Sequence, residues 1–453
     1  MVDNSALQFK LGVTSEIGVL RKVVLHLPGL EWDLVPCTPG SLASYLIEDI
    51  FSLKVAKDEH ECFSKVLGHF VGKENVLEFV DLLSEVCEEK SSRLEIVASV
   101  AALESLGRRV CDQLLALDAH KLALALIRGA IIENETDRLS YANLFAPLPN
   151  LLFTRDLGAA IPGAYIICHA AMPARRRETL LMRYVLKNVL FKDVDILDVR
   201  DGEWSAKEDE IFWTELVSEE GVSIEGGDII VLDEETLIIG TGERTTWPAL
   251  MILLKKLRRT SSIKNVIRVV LPQARATMHL DTVFTVINRQ EFMIYEPVIK
   301  DADFYVYQKP SFDEKKAVDF SDALGYAGCT NITFVQCGNG HPLFGGREQW
   351  TDGVNVFAVA PDILVGYERN TETIQALKNK GYQYLHAGNE MDKIESAGKD
   401  FKENKLDRRI IIGLPGSELS RGRGGPRCMS MPLLRDPLPQ PGQHKGESLQ
   451  RWC

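Results

Sequence analysis

The 453-residue chain lacks the features that mark membrane, secreted and nucleic-acid-binding proteins. It has no run of about 18 uncharged apolar residues, so no transmembrane helix is expected. The opening MVDNSALQFK has no basic segment before an apolar core and predicts no secretory signal. Lys and Arg number 52 against 64 Asp and Glu, a net charge of −12. This balance argues against nucleic acid and anionic membranes as partners.

Paired cysteines are also missing. The nine cysteines are odd in number and scattered, with no CxxC motif. This pattern suits reduced thiols better than a disulfide framework or a zinc site, and it favours a cytoplasmic location. Each cysteine is by default a small buried hydrophobe, so any reactive thiol has to be argued from its neighbours.

What the chain does contain is typical of a globular fold. Hydrophobic residues make up 45% and charged residues 26%, enough to build a sizeable core. Residues 56–135 carry apolar residues at helical spacing, which predicts several consecutive amphipathic helices. From about residue 147 short strands and helices alternate, which predicts an α/β architecture.

Two later stretches look poorly suited to a core. Residues 388–407 are charge-rich and aperiodic, and we expect a solvated loop there. Residues 437–453 are rich in Pro and Gly with little to bury, and we expect a poorly ordered tail.

Two segments place carboxylates beside apolar runs. PNLLFTRD (149–156) ends in Asp156, which fits either a strand-ending turn or a functional carboxylate. IEGGD (224–228) sets Glu225 beside two glycines, which let a backbone pass close to a ligand. A charged turn before a strand explains this second segment as well, so neither segment decides alone.

The segment MHLDTVF (278–284) is more specific. If it is extended, His279 and Asp281 lie two residues apart and share one face. A buried, mutually satisfied His–Asp pair is one interpretation. The other is a general acid or base next to a carboxylate that binds a cation.

The segment SELSRGRGGPRCMSMPLLRD (417–436) points most clearly to chemistry. Its glycines and proline form a loop that no helix or strand needs, and Cys428 follows three arginines, 421, 423 and 427. Nearby positive charge favours a thiolate, so Cys428 is the best nucleophile candidate among the nine cysteines. A Gly/Arg-rich linker with an incidental cysteine is the alternative.

Taken in this order, PNLLFTRD, IEGGD, TGERTT, MHLDTVF and SELSRGRGGPRCMSMPL resemble the arginine deiminase family of guanidine-modifying (pentein) enzymes. The resemblance runs from about Gly12 to Asp436. It implies a five-bladed α/β propeller of ββαβ units with an inserted all-helical bundle. The expected division is a discontinuous catalytic domain (1–55 and 146–436) around a helical domain (56–145).

The resemblance also implies a reaction. The family hydrolyses free L-arginine to L-citrulline and ammonia through an S-alkylthiouronium intermediate, with no cofactor and no metal. Cys428 matches the nucleophile and His279 the acid/base, while Asp156 and Asp281 match the guanidinium-binding carboxylates. Glu225 matches the carboxylate that supports His279.

Four further residues match the family's substrate-binding positions. Arg175 and Arg244 match the grip on the α-carboxylate, Asn150 matches a contact to the α-amino group or carboxylate, and Arg423 matches a loop arginine near the nucleophile. Without the resemblance, Arg175 in its run of three arginines fits a solvated helix start equally well.

The alternatives lie mostly within the same chemistry. Another guanidine, such as agmatine or a methylarginine, would use the same nucleophile, as would an amidinotransferase that passes the intermediate to an amine. A catalytically silent relative is the alternative from another class. By analogy with the family we expect a homo-oligomer, a dimer or larger.

Overall fold

The chain has a mixed α/β architecture. The structure, a computed structural model, describes residues 12–132, 141–190, 194–200, 221–260 and 262–438. Among its described helices, none combines the length and apolar character needed to cross a membrane. Of the predicted tail at 437–453, only the first two residues fall within the described part of the chain.

The strands are short, as expected for small sheets linked by turns. In chain order they are β1 Leu20–Leu25, β2 Val76–Glu78, β3 Ala130–Ile132, β4 Tyr141–Asn143, β5 Gly158–Ile161, β6 Ala164–Ile167, β7 Asp195–Asp198, β8 Ile229–Val231, β9 Thr236–Thr241, β10 Asn265–Val270, β11 Phe284–Val286, β12 Glu291–Ile294, β13 Asp303–Gln308, β14 Asp313–Lys316, β15 Thr333–Gln336, β16 Phe357–Ala360, β17 Ile363–Tyr367, β18 Tyr382–His386, β19 Arg409–Leu414 and β20 Met431–Arg435.

The helices are concentrated before residue 130 and then alternate with strands. In chain order they are α1 Leu30–Asp33, α2 Pro39–Ser44, α3 Leu53–Val71, α4 Phe79–Glu88, α5 Lys90–Glu104, α6 Arg108–Ala116, α7 Ala119–Arg128, α8 Arg176–Val185, α9 Trp247–Thr260, α10 Glu296–Asp301, α11 Phe320–Gly325, α12 Pro342–Trp350, α13 Thr371–Asn379 and α14 Met391–Lys402.

Five of the sheets repeat one local pattern. An antiparallel pair is followed, after a helix, by a strand parallel to the second member of the pair. β5 and β6 are antiparallel, and β7 returns after α8 parallel to β6. The same pattern holds for β8–β9–β10, β11–β12–β15 and β16–β17–β19. The fifth copy joins the two ends of the described chain, because β20 pairs antiparallel with β1 and β1 pairs parallel with β2.

The early helices divide between two apolar clusters. Helix α3 buries Phe63, Val66 and Leu67 together with residues of β1, β17 and β19. Helices α4 to α7 bury a separate set that packs on β5, β6 and α8. The helical stretch predicted from residue 56 therefore begins with a helix that packs among the sheets.

The prediction of a solvated loop at 388–407 is wrong. Helix α14 occupies most of it and buries Ile394 and Ala397. These residues and Phe401 recur at i, i+3 and i+7, an amphipathic pattern that the many charged neighbours mask. The helix also docks closely on α3, since a Cβ at Gly398 would lie 2.6 Å from the His69 carbonyl oxygen.

Candidate active site

Most of the predicted site residues line one narrow cavity with a volume of about 20 Å³. Seven of the nine lie in its wall, namely Asn150, Asp156, Arg175, Arg244, His279, Arg423 and Cys428. The other two, Glu225 and Asp281, are fully buried and contact His279 and Cys428 respectively. The sequence did not single out five further wall residues, Leu46, Phe153, Arg275, Met278 and Gly422.

Cys428 lies in the glycine-rich loop between β19 and β20. Its backbone N–H donates to Asn355 Oδ1 at 3.0 Å, and its Sγ lies 3.5 Å from Asp281 Oδ2. The loop needs its glycines, because a Cβ at Gly424 would lie 2.3 Å from the Phe153 ring. Burial raises the pKa of the Cys428 thiol well above its usual value, and Asp281 and the other nearby carboxylates add to the effect.

His279 is held by Glu225. The ring Nε2 lies 2.7 Å from Glu225 Oε2, and Glu225 Oε1 accepts from the Ala171 N–H at 3.0 Å. Burial disfavours the charged ring, but the charge of Asp156 and the hydrogen bond to Glu225 outweigh it and raise the pKa of His279 to about 9. The ring is therefore protonated near neutral pH and donates to Glu225.

The segment 278–284 is not extended throughout, so His279 and Asp281 do not share one face of a strand. His279 itself is extended, but a 3₁₀ turn follows at Leu280–Thr282. The turn forms because the Leu280 N–H donates to Asp228 Oδ1 at 2.9 Å and the Thr282 hydroxyl donates to the His279 carbonyl at 2.6 Å. His279 consequently faces the cavity, while Asp281 lies behind it beside the thiol.

Asp156 sits between an arginine and the imidazole. Its Oδ2 accepts from Arg175 Nη1 at 2.5 Å, and its Oδ1 accepts from the Gly227 N–H at 3.1 Å and lies 3.8 Å from His279 Nδ1. Gly227 cannot carry a side chain, because a Cβ there would lie 2.7 Å from the imidazole ring. The glycines of IEGGD thus allow a close approach of the backbone to His279.

The remaining predicted residues surround the cavity with nitrogen donors. Arg175 also donates to Glu178 at 2.9 Å and to the Asn150 carbonyl at 3.1 Å. Arg244 Nη1 lies 3.9 Å from Glu225 Oε2. Arg423 donates to the Trp350 carbonyl and stacks 3.6 Å above the ring of Trp350.

One cluster of side chains has the spacing of metal ligands. Asp156, Glu225 and His279 each bring a potential ligand atom within 4.8 Å of the others. In the structure, His279 bonds to Glu225 and Asp156 bonds to Arg175. A cation that binds by hydrogen bonds, such as a guanidinium, suits this arrangement of carboxylates because planar N–H donors match carboxylate oxygens.

The site therefore combines a buried thiol, a protonated imidazole and several carboxylates around one small cavity, with arginines at its wall. This combination defines an enzyme class that acts on a small cationic molecule through a cysteine nucleophile. The chain belongs to the arginine deiminase family, because the family model "Arginine deiminase" matches residues 44–435.

The relatives by sequence agree with this assignment. The chain is 33% identical over 450 residues to arginine deiminase of Bacillus cereus (strain B4264), an alignment that covers 93% of this chain and 98% of the relative. It is 32% identical to arginine deiminase of Staphylococcus haemolyticus, with 95% of this chain and all of the relative covered.

A solved structure with distant similarity is an amidinotransferase of Microseira wollei, at 13% identity. The structural match covers 94% of this chain and 97% of the amidinotransferase chain, with a TM-score of 0.48. A likeness this distant carries no inference about function.

Proposed function

We propose that the chain hydrolyses free L-arginine to L-citrulline and ammonia. The observation that carries the proposal is the convergence of Cys428, His279 and Asp156 on one cavity whose wall also contains Arg175 and Arg244. Membership of the arginine deiminase family supports it. The catalytic and binding roles of individual residues belong to the same proposal.

Binding comes first. The substrate guanidinium is always protonated, and its carbon is a poor electrophile in solution. Asp156 and Asp281 would accept its N–H groups and fix the carbon beside Cys428 Sγ. The resting thiol is neutral because burial and the carboxylates raise its pKa. An arriving guanidinium brings positive charge that favours the thiolate.

Two displacements then follow at the guanidinium carbon. The thiol of Cys428 gives its proton to solvent as Sγ forms a bond to the carbon. The tetrahedral adduct then breaks a C–N bond and expels ammonia with a proton from His279, leaving an S-alkylthiouronium. Water then attacks the same carbon while His279 takes its proton. The second adduct breaks the C–S bond and passes its hydroxyl proton to the departing sulfur, which releases citrulline and restores the neutral thiol of Cys428. Glu225 holds the imidazole in position through both steps.

Selection for the free amino acid needs a second anchor at the far end of the substrate. Arg175 and Arg244 are both buried and line the cavity. We propose that they bind the α-carboxylate, that Asn150 assists at the same end, and that Arg423 contacts the substrate near the nucleophile. In the structure described, Arg175 is bonded to Asp156, so it would have to exchange that partner, at least in part, for the substrate carboxylate. This arrangement disfavours agmatine, which has no carboxylate.

The test compares three guanidines and two cysteine variants. We expect citrulline and ammonia from L-arginine and neither agmatine nor N-acetylated, C-amidated arginine to be turned over. Cys428→Ser should abolish turnover, since an alcohol is a far weaker nucleophile here. The control is Cys337→Ser, because Cys337 is equally buried but bonds to the Gly345 carbonyl and Thr373.

Other outcomes of this test distinguish the alternatives. Turnover of agmatine would remove the proposed carboxylate anchor. Failure of well-folded native protein on all three guanidines would contradict the hydrolase proposal and favour amidinotransfer or a silent relative. An acceptor amine added to the same reaction would separate those two.

We also propose the finer architecture. The five sheets with the repeated strand–strand–helix–strand pattern support five ββαβ blades of a pentein propeller. The packing of α4 to α7 supports an inserted helical domain within 56–145, with its packed helices beginning at Phe79 because α3 packs among the sheets. The catalytic domain then comprises the rest of residues 1–436.

Two further expectations remain proposals. We propose a cytoplasmic location, and the eight cysteines of the described residues, all free thiols, are compatible with a reducing compartment. We also propose a homo-oligomer, to be tested by light scattering.

A further inference from the structure

Arg427, the residue that precedes the proposed nucleophile, is one of the most buried side chains of the molecule, with 1% of its surface exposed. Its guanidinium makes four hydrogen bonds. Nη1 donates to Asp281 Oδ2 at 2.7 Å, Nη2 donates to the Ile229 carbonyl at 2.9 Å, and a fork of Nε and Nη2 reaches Glu16 at 3.3 and 3.1 Å. A planar fork of this kind holds its partners in one orientation.

The two oxygens of Asp281 have different surroundings as a result. Oδ2 lies between Arg427 and the thiol, 3.5 Å from Cys428 Sγ. Oδ1 is buried and has no hydrogen-bond partner among the described residues. A buried acceptor without a donor is costly, so Oδ1 is poised to accept an N–H that arrives with a ligand.

Glu16 holds the Arg427 guanidinium on the side away from Asp281 with two hydrogen bonds. Burial alone would raise the pKa of Glu16, but the charges of Arg427, Arg155 and Arg435 lower it to about 2, so this carboxylate is charged. Arg155 ties the same loop through the main chain, because its backbone N–H donates to the Cys428 carbonyl at 3.1 Å and its Nε to the Arg427 carbonyl at 3.3 Å. Arg427 is therefore fixed at both its backbone and its guanidinium.

We propose that Arg427 is a positioning residue for the reaction: it binds one oxygen of Asp281 and so reserves the other oxygen for the substrate guanidinium. This inference rests on the proposed function. Arg427 also acts through its charge, because a cation next to the Cys428 thiol opposes the effect of the surrounding carboxylates on that thiol. The charged groups with the largest effect on Cys428 include Asp281, Asp156, Asp352 and Arg427, and Arg155, Arg423 and the His279 ring also lie nearby.

The experiment compares Arg427→Gln, Arg427→Lys and a matched control, Arg177→Gln. Arg177 is equally buried and also bonds to a carboxylate, Glu104, and to main-chain carbonyls, but away from the cavity. Two quantities are measured for each protein. One is kcat and KM for L-arginine, and the other is the midpoint of the Cys428 thiolate absorbance titration, taken as a difference from the same protein with Cys428→Ser.

For Arg427→Gln we expect kcat to fall roughly 100-fold, the scale of a misplacement of about 1 Å at the reacting groups. We expect its thiol midpoint to rise by about 1 pH unit, since a neighbouring cation is lost. Arg427→Lys keeps the positive charge but not the planar guanidinium. The thiol titration midpoint should therefore return to its native value, while kcat recovers only in part. Arg177→Gln should lower the melting temperature and leave kcat and the thiol midpoint at native values.

Native kcat and a native thiol midpoint in folded Arg427→Gln would overturn the proposal, and so would equal changes in Arg177→Gln. If Arg427→Gln does not fold, Arg427→Lys and Glu16→Gln decide. Both should lower kcat, and unchanged kcat in both would overturn the proposal. Failure of the proposed function has a different signature, because native protein would then release no citrulline from L-arginine. The thiol titration midpoints of native protein and Arg427→Gln would still show whether Arg427 lowers the pKa of Cys428. Glu16→Gln replaces Arg427→Gln in this comparison if the latter does not fold.

Discussion

At the scale of single residues, the charge on His279 depends on three carboxylates. Burial opposes the charged ring, and Asp156, Glu225 and Asp228 together reverse that effect and bring the pKa to about 9. This pKa lies above the ordinary value of 6.5, so the stability that it contributes is full below about pH 6.5 and is lost as the pH rises through about 9. The proton needed for ammonia departure is lost over the same interval.

Glu225→Gln tests this dependence. Removing the carboxylate should lower the pKa of His279, so the alkaline limb of kcat/KM against pH should move to lower pH by about 1 unit. We expect kcat to fall about 100-fold or more, the lower end for a disturbed general acid. The measurement is citrulline release across the pH range.

The control for this variant is Glu348→Gln. Glu348 is also a buried carboxylate, but it accepts from the Glu372 and Thr373 N–H groups at the start of α13. It should cost stability and leave the alkaline limb in place. An alkaline limb that stays unmoved in Glu225→Gln would mean that this limb does not report His279.

Individual residues were also where sequence reasoning worked best for the site. The motifs of Asp156, His279 and Cys428 carry unusual polar chemistry in short segments, so the sequence could single them out as candidates, and the structure brings them to one cavity. The dual contacts of Arg427 with Asp281 and Glu16 could not be predicted, because the sequence separations are 146 and 411 residues. Only the folded chain brings these charges together.

At the scale of elements, helix α14 depends on a close approach that its sequence does not reveal. Gly398 faces α3, and an added Cβ would lie 2.6 Å from the His69 carbonyl oxygen. Two effects therefore compete in Gly398→Ala. Alanine gains about 1 kcal/mol in helix propensity, whereas overpacking costs about 1–3 kcal/mol. Because the contact is with backbone, which yields little, we expect a net loss of up to about 2 kcal/mol.

The measurement for this prediction is urea unfolding of the two helix variants Gly398→Ala and Ser396→Ala. Ser396 is exposed on the same helix, so its replacement should raise stability by a few tenths of a kcal/mol, about the difference in propensity. Equal gains in both variants would show that α14 does not dock tightly on α3.

Some elements carry too weak a signal to be predicted at all. Strand β14 reads DEKK, and all four of its residues are exposed. Its partner β13 supplies the pairing, so neither apolar alternation nor β-propensity marks it. By contrast, apolar faces with helical period predict helices at Arg176–Val189, Thr246–Leu257 and Glu372–Lys380. Helices α8, α9 and α13 lie within a few residues of these ranges.

At the scale of the whole molecule, the two ends of the described chain meet beside the proposed nucleophile. Strand β20 begins three residues after Cys428 and pairs antiparallel with β1. The pairing is extended by hydrogen bonds from the Arg435 N–H to the Gly12 carbonyl and from the Asp436 N–H to the Val19 carbonyl. No local sequence pattern could predict this closure, since it joins residues about 410 positions apart. The position of Cys428 thus depends on the first strand as much as on its own loop.

Two truncations test the closure. A chain that ends at Ser430 keeps every proposed catalytic residue but loses β20, including the fully buried Met431 and Leu433. Each such loss costs about 2–5 kcal/mol, and the edge of β1 would be left unpaired, against a total stability of about 5–15 kcal/mol for a typical domain. We expect no cooperative thermal transition and no citrulline from this chain.

A chain that ends at Leu438 keeps β20 and should melt and turn over L-arginine as the 453-residue chain does. A cooperative native-like melt of the shorter chain would show that the sheets hold together without the closing strand, and the geometry of Cys428 would then have to come from the loop and its contacts with Asn355 and Arg155 alone.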